Sequence, residues 1–129
     1  MDSNVPMYVA GRDHPLRDPA LRFVERARSG EFEICTSTEV LQEILYRYAG
    51  LQRLDAAREV YESFVDLCPV VLPVSLADTD RAKELVCSGA RTGVRDAIHV
   101  AVMLNNGVRR IASFDTGFDR LREVERLKL

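Results

Sequence analysis

RTGVRDAIHVAVMLNNGVRRIASFD, residues 91–115, carries the reading of the fold. Val94, Ala97, Ile98, Ala101, Val102 and Leu104 recur at helical spacing and predict a helix with one broad apolar face. Gly107 stops it, as a residue free to adopt positive φ does past a helix C-terminus. RRIASFD (109–115) then reads as a strand that ends on a carboxylate. Upstream, VVLPVS (70–75) predicts a strand that hands over to a helix at 76–88 through a cap at Ser75, and Leu54 to Leu67 puts Ala57, Val60, Tyr61 and Phe64 on one helical face. Before these, TSTEVLQEILYRYAG (36–50) has Thr36 and Glu39 at capping-box spacing and an apolar stripe of Val40, Leu41, Ile44, Leu45 and Tyr48 that ends at Gly50. Phe32 to Cys35 predicts a short strand, and RDPALRFVERARS (17–29) an amphipathic helix entered through Asp18 and Pro19. Downstream, GFDRLREV (117–124) predicts a turn or short helix, and VERLKL (124–129) an edge strand. Strands alternating with long helices require right-handed crossovers, so the class is α/β with a central parallel sheet covered on both faces.

The chain has 129 residues, which predicts one domain, and a chain of this size buries roughly two-thirds of its unfolded surface. Hydrophobic residues at 47% and charged residues at 29% exclude disorder, and no apolar run approaches the roughly 20 residues of a membrane span. Cys35, Cys68 and Cys87 lack metal-binding or paired spacing, and no basic region followed by an apolar block opens the chain. Buried, reduced thiols and a cytoplasmic protein are therefore expected. The net charge of −2 does not itself point to nucleic acid. Of the 18 basic residues, however, all but Lys83 and Lys128 are arginine, whose planar fork matches phosphate. A general bias toward arginine explains this equally well.

The acids need an explanation. In such sheets functional groups gather at the carboxyl ends of strands. Asp2 precedes a helix-forming region, Asp115 ends a strand, and Glu43 and Asp96 lie in the first turns of their helices within largely apolar stripes. Taken singly, Glu43 or Asp96 is adequately explained by solvation or by pairing with Arg47 or Arg95. Four carboxylates at one sheet edge are different, because neighbours about 4 Å apart repel by about 1 to 4 kcal/mol per pair. A cation must offset that, and hard oxygen donors without His or Cys suit Mg²⁺ or Mn²⁺.

MDSNVPMYVAG, STEVLQEIL, RDAIHVA and SFDTGFDRL, in that order, resemble the motifs of PIN domains, and the chain is similar over nearly its whole length to the toxin nucleases of VapBC toxin-antitoxin pairs. The resemblance implies a three-layer PIN-like domain over residues 1–129, a homodimer, Mg²⁺- or Mn²⁺-dependent cleavage of RNA, and inhibition by a VapB-like antitoxin. By position it implies that Asp2, Glu43, Asp96 and Asp115 are the catalytic and metal-binding acids, with Asp119 a further candidate and Asn4 and Ser113 orienting the carboxylates. Glu39 competes with Glu43 from one turn earlier, but Glu43 is trailed by Ile44 and Leu45 as the family's glutamate is, and the capping box occupies Glu39. His99, three residues after Asp96, invites a general-base reading, although a satisfied, partly buried histidine is the commoner case. His14 carries no signal.

Two other classes fit parts of the pattern. A Mg²⁺-dependent phospho-accepting regulatory domain also clusters acids on a parallel sheet, but it needs a lysine after the last strands and only Lys128 is available. A non-catalytic PIN-like module that binds RNA or antitoxin is the other. The family's first acid ends a central strand whose preceding apolar residues are missing ahead of Asp2, so translation is expected to begin upstream, and Asp2 in the chain as written is expected to hang on a frayed terminus.

Overall fold

The computed structural model describes residues 1–89 and 92–129. Arg91, at the head of the segment quoted above, lies outside the described residues. Among the described residues, six helices and four three-residue strands follow in the order α1 (Asn4–Ala10), α2 (Arg17–Arg28), β1 (Cys35–Ser37), α3 (Thr38–Gly50), α4 (Leu54–Leu67), β2 (Val70–Leu72), α5 (Leu76–Cys87), α6 (Val94–Asn105), β3 (Arg110–Ala112) and β4 (Glu125–Leu127), with a 3₁₀ turn at Thr116–Arg120.

The predicted elements are all present, and several boundaries move. Pro6 sits in the first turn of α1 and Pro19 in that of α2, where a missing N–H costs no hydrogen bond. At α5 the expected cap forms in full, with Ser75 and Asp78 bonding each other's backbone. The box expected at Thr36 and Glu39 does not form. β1 runs through Thr36 and Ser37, α3 starts at Thr38, and no side chain caps it. The hydroxyls have gone to tertiary partners: Thr36 Oγ1 donates to the Met1 carbonyl at 3.0 Å, and Ser37 Oγ bonds His99 Nδ1 at 2.8 Å. Glu43, the sixth residue of α3, is in its second turn, not the first. The turn after α3 is made by Gln52 at φ 54° rather than by Gly50, whereas Gly107 takes φ 73° after α6 as expected. The thiols are all unpaired, but only Cys68 is buried, which pushes its pKa up to about 11, and Cys87 is exposed.

Among the described residues all strand pairing is parallel, and it falls into two halves. β1 pairs with β2, with Cys35 opposite Val70, and β3 pairs with β4, with Arg110 opposite Glu125. Met1 and Asp2 stitch the halves together: the Met1 amino group donates to the Cys35 carbonyl at 2.6 Å on one side, and the Asp2 N–H to the Ala112 carbonyl at 3.0 Å on the other. Asp2 therefore does not hang from a frayed end and is only 6% exposed. Beneath Met1 a cleft of about 790 Å³ opens between α2 and the strand edges, lined by Phe23, Ile34, Cys35, Ala112 and Leu127 among others.

One core joins α1 to α4 and β1 around Val5, Ile44 and Phe64. A second packs Val100, Met103, Ile111 and Phe118 between α6, β3 and the 3₁₀ turn. Each such side chain contributes about 1.5 to 3 kcal/mol by burial. Ala82, Ala97 and Ala101 form the contact between α5 and α6, where small side chains let the helices approach closely. Ala97 of this contact is the residue next to Asp96 in the first turn of α6.

Candidate active site

Asp2 is the most elaborately held acid. Its Oδ1 accepts the Ser3 N–H at 2.7 Å, and its Oδ2 accepts Asn4 Nδ2 at 2.6 Å and Ser113 Oγ at 2.5 Å. Burial pushes the carboxyl above its ordinary range, against the downward pull of Ser113 and the Ser3 N–H. Ser113, fully buried at the end of β3, is saturated: its hydroxyl donates to Asp2 and accepts from Asn4 Nδ2 at 2.9 Å and from the Asp115 N–H at 3.0 Å. Asn4 closes the ring by accepting the Phe114 N–H at 3.2 Å. Asn4 and Ser113 thus tie the first acid to the strand end that carries the last one.

Glu43 reaches the same place from α3. Its Oε2 accepts the Ser3 hydroxyl at 2.8 Å, so Ser3 bonds Asp2 through its backbone and Glu43 through its side chain. Sequence reading passed over Ser3, although its position between Asp2 and Asn4 was a usable signal. Glu43 Oε1 lies 3.8 Å from Arg95 Nη1, while Arg47, the other candidate partner, makes no described ion pair with it. Asp115 caps the 3₁₀ turn, its Oδ1 accepting the Gly117 N–H at 2.7 Å. Asp96 is raised to about 6, first by burial and then by the charges of Asp2, Asp115 and Glu43, while the Gly93 backbone lowers it. These four acids from four separate stretches share one electrostatic neighbourhood.

The other candidates lie elsewhere. Asp119 is engaged by Arg126, with both carboxylate oxygens bonded at 2.8 Å, which holds it below the usual carboxylate range. Glu39 is raised by burial and feels Arg95 and Glu43, without a bond to the Asp2 network. His99 is 3% exposed, its Nδ1 is committed to Ser37, and burial lowers it to about 3, so it is a neutral core histidine. Its buried Nε2 has no partner among the described residues.

Among the described residues, no group of three or more His, Cys, Asp or Glu is close enough to hold a metal ion. The oxygens of Asp2, Glu43 and Asp115 are bonded instead by Ser113, Asn4, Ser3 and Gly117. The donor set itself consists only of hard carboxylate and hydroxyl oxygens, the chemistry a small divalent cation requires.

The PIN domain family matches residues 1–124. Ribonuclease VapC13 of Mycobacterium tuberculosis is 37% identical over 127 residues, which is 98% of this chain and 97% of that protein. Ribonuclease VapC23 of the same species is 37% identical over 118 residues, covering 89% and 90%. Among solved structures, VapBC2 from Rickettsia felis bound to a promoter DNA fragment superposes with a TM-score of 0.74 at 18% identity, covering 97% of this chain and 93% of that one. M. tuberculosis VapC20, described as a sarcin-ricin loop cleaving toxin, gives 0.73 at 20% identity, covering 92% and 90%. The two structural likenesses establish the fold.

Proposed function

The chain belongs to the PIN-domain family, among the VapC ribonucleases, and from that membership we propose that it is the toxin of a type II toxin-antitoxin pair, an endoribonuclease that hydrolyses RNA at Asp2, Glu43, Asp96 and Asp115. The observation that carries the site is the hydrogen-bond network that gathers the acids, in which Ser3 bonds both Asp2 and Glu43 and Ser113 bonds both Asp2 and the Asp115 N–H, with Asp96 raised by burial and then by the other three. A fold does not keep four carboxylates in mutual repulsion for its own stability. It does so to receive positive charge.

Asp2, Glu43, Asp96 and Asp115 would hold Mg²⁺ or Mn²⁺. When bound, such an ion supplies an acidified water and neutralises charge that develops on the phosphate. The protein's own contribution is positioning. Ser113 and Asn4 hold the Asp2 carboxylate from one side, Ser3 couples it to Glu43, and the Gly117 N–H fixes Asp115. Hydrolysis by water breaks the bond from phosphorus to the 3′-oxygen, which takes the proton, and leaves 5′-phosphate and 3′-hydroxyl ends.

A homodimer, a VapB-like antitoxin that offers the acids a cation, and a cytoplasmic location complete the proposal. The phospho-accepting alternative is set aside by the family and by Lys128, which lines the cleft under Met1. Incubating the purified chain with RNA in Mg²⁺, Mn²⁺ or EDTA tests the proposal. Cutting in metal, abolished by EDTA and by Asp96→Asn, is expected. RNA left intact in both metals would make this a non-catalytic binding module instead.

A further inference from the structure

Arg95, the residue immediately before Asp96, is placed unlike the other arginine near the acids. Arg126 spends its donors on Asp119 and the Ser113 carbonyl. Arg95 appears in none of the described hydrogen bonds. Its guanidinium stands 4.3 Å over the ring of Tyr46, and its Nη1 stops 3.8 Å from Glu43 Oε1. An arginine serving only to neutralise Glu43 closes to about 2.7 to 2.9 Å and forks onto the carboxylate. This one is held short of that by an aromatic face, with its donors unspent and its side chain 40% exposed.

Tyr46 is the second part of the arrangement. It follows Glu43 by three residues on α3, so the two side chains share a helix face. It is 62% exposed, so the fold gains little from its aromatic bulk. Carboxylate, guanidinium and open aromatic ring therefore stand in a row that leads outward from the acid cluster.

We propose that Tyr46 and Arg95 are a nucleotide clamp at the rim of the site: Tyr46 stacks a base of single-stranded RNA, and Arg95 takes a phosphate oxygen next to the bond to be cut. The proposal rests on the ribonuclease reading above and adds the residues that grip the substrate. Exposed aromatic rings bind bases without regard to sequence because every base has a π face, and an arginine alongside adds the phosphate contact. The pair also answers an electrostatic problem: a polyanion that approaches four carboxylates needs a cation not already consumed by them.

The test measures binding of a 5′-fluorescein-labelled single-stranded RNA of mixed sequence by anisotropy, in Mg²⁺ and on the Asp96→Asn background, where cleavage is not expected, over a series of salt concentrations. Tyr46→Ala is expected to weaken binding about 5- to 150-fold, the span of a single base stack, with the salt slope unchanged, and Tyr46→Phe is expected to retain affinity. Arg95→Ala is expected to weaken binding and to reduce the slope by about 0.7, one single-strand phosphate. In RNAs lacking one base at a time, removal at one position is expected to cost the parent protein affinity and to cost Tyr46→Ala nothing further. Tyr46 is exposed and Arg95 half-buried, and unchanged urea midpoints verify folding. If the unmutated chain cuts RNA but the Tyr46 and Arg95 variants bind it as the parent does, the clamp is wrong while the ribonuclease reading stands; if those variants instead lose a protein partner, the patch is a protein interface. If the unmutated chain neither cuts nor binds RNA, both readings fall.

Discussion

Asp96→Asn should make the metal-free protein more stable at neutral pH. The folded carboxyl stands at about 6 against an ordinary value of 3.8. Between those values the native group holds a proton that the unfolded one has released. Its stabilising contribution is therefore complete below about 3.8 and is lost as pH rises through about 6. At about 1.4 kcal/mol per pH unit the whole difference is about 3 kcal/mol. The side chain is only partly buried, so solvent screening reduces that to about 1 to 2 kcal/mol. Asparagine keeps the size, removes the titration and relieves the other acids, but it forfeits about 0.5 kcal/mol of favourable interaction between a first-turn carboxylate and the α6 dipole. The net expectation is a gain of about 1 kcal/mol at pH 7.5. Urea unfolding in EDTA from pH 4.5 to 7.5 measures it: the wild-type stability should fall across the range relative to the variant, the curves crossing near the acid end. Parallel curves, or a variant less stable at pH 7.5, would refute the claim that the four acids strain one another.

Adding Mn²⁺ at pH 7 should raise the wild-type urea midpoint and leave that of Asp96→Asn nearly unmoved, and titration near pH 6 should release protons as metal binds; a midpoint indifferent to metal would remove the ion from the site. Ser113→Ala breaks three bonds, one of them to a carboxylate, and should cost about 2 to 4 kcal/mol in urea unfolding. It also withdraws a donor that lowers Asp2, so half-saturation with Mn²⁺ should move to higher pH; an unshifted midpoint would mean that Ser113 does not tune the acid. Glu43→Gln should abolish cleavage while Glu39→Gln retains it, since only Glu43 receives the Ser3 hydroxyl; the reverse ranking in a cleavage assay would place the site one turn nearer the start of α3.

The helices were legible because their apolar residues repeat at helical spacing, and the α5 cap because Ser75 and Asp78 satisfy each other locally. The same reasoning failed at Thr36, where identical spacing suggested a box. There the hydroxyls found the Met1 carbonyl and His99, partners distant in sequence, and the strand took the residues assigned to the helix. Gly50 misled in the same way, since the positive φ after α3 fell to Gln52. Within the site, the acids could be nominated by their position near strand ends, helped by the family resemblance. Ser3 as the link between Asp2 and Glu43, and Arg95 over Tyr46, are contacts between elements with no periodic trace in the chain. Asp119 looked like a candidate for the same reason: the arginine that occupies it comes from β4, seven residues on.

The bond from Ser113 to Asp2 also sets a clock. The two residues are 111 positions apart, so one end of the site is made almost first and the other almost last. At about 5 to 20 residues per second, Asp2 waits about 6 to 22 s for the hydroxyl that holds it. During that interval the growing chain carries Asp2, Glu43 and then Asp96 without the strand end that joins them. On the proposed site, a chain that ends before β3 lacks Ser113 and Asp115 and is expected not to cut RNA, so that activity arrives only near the end of synthesis.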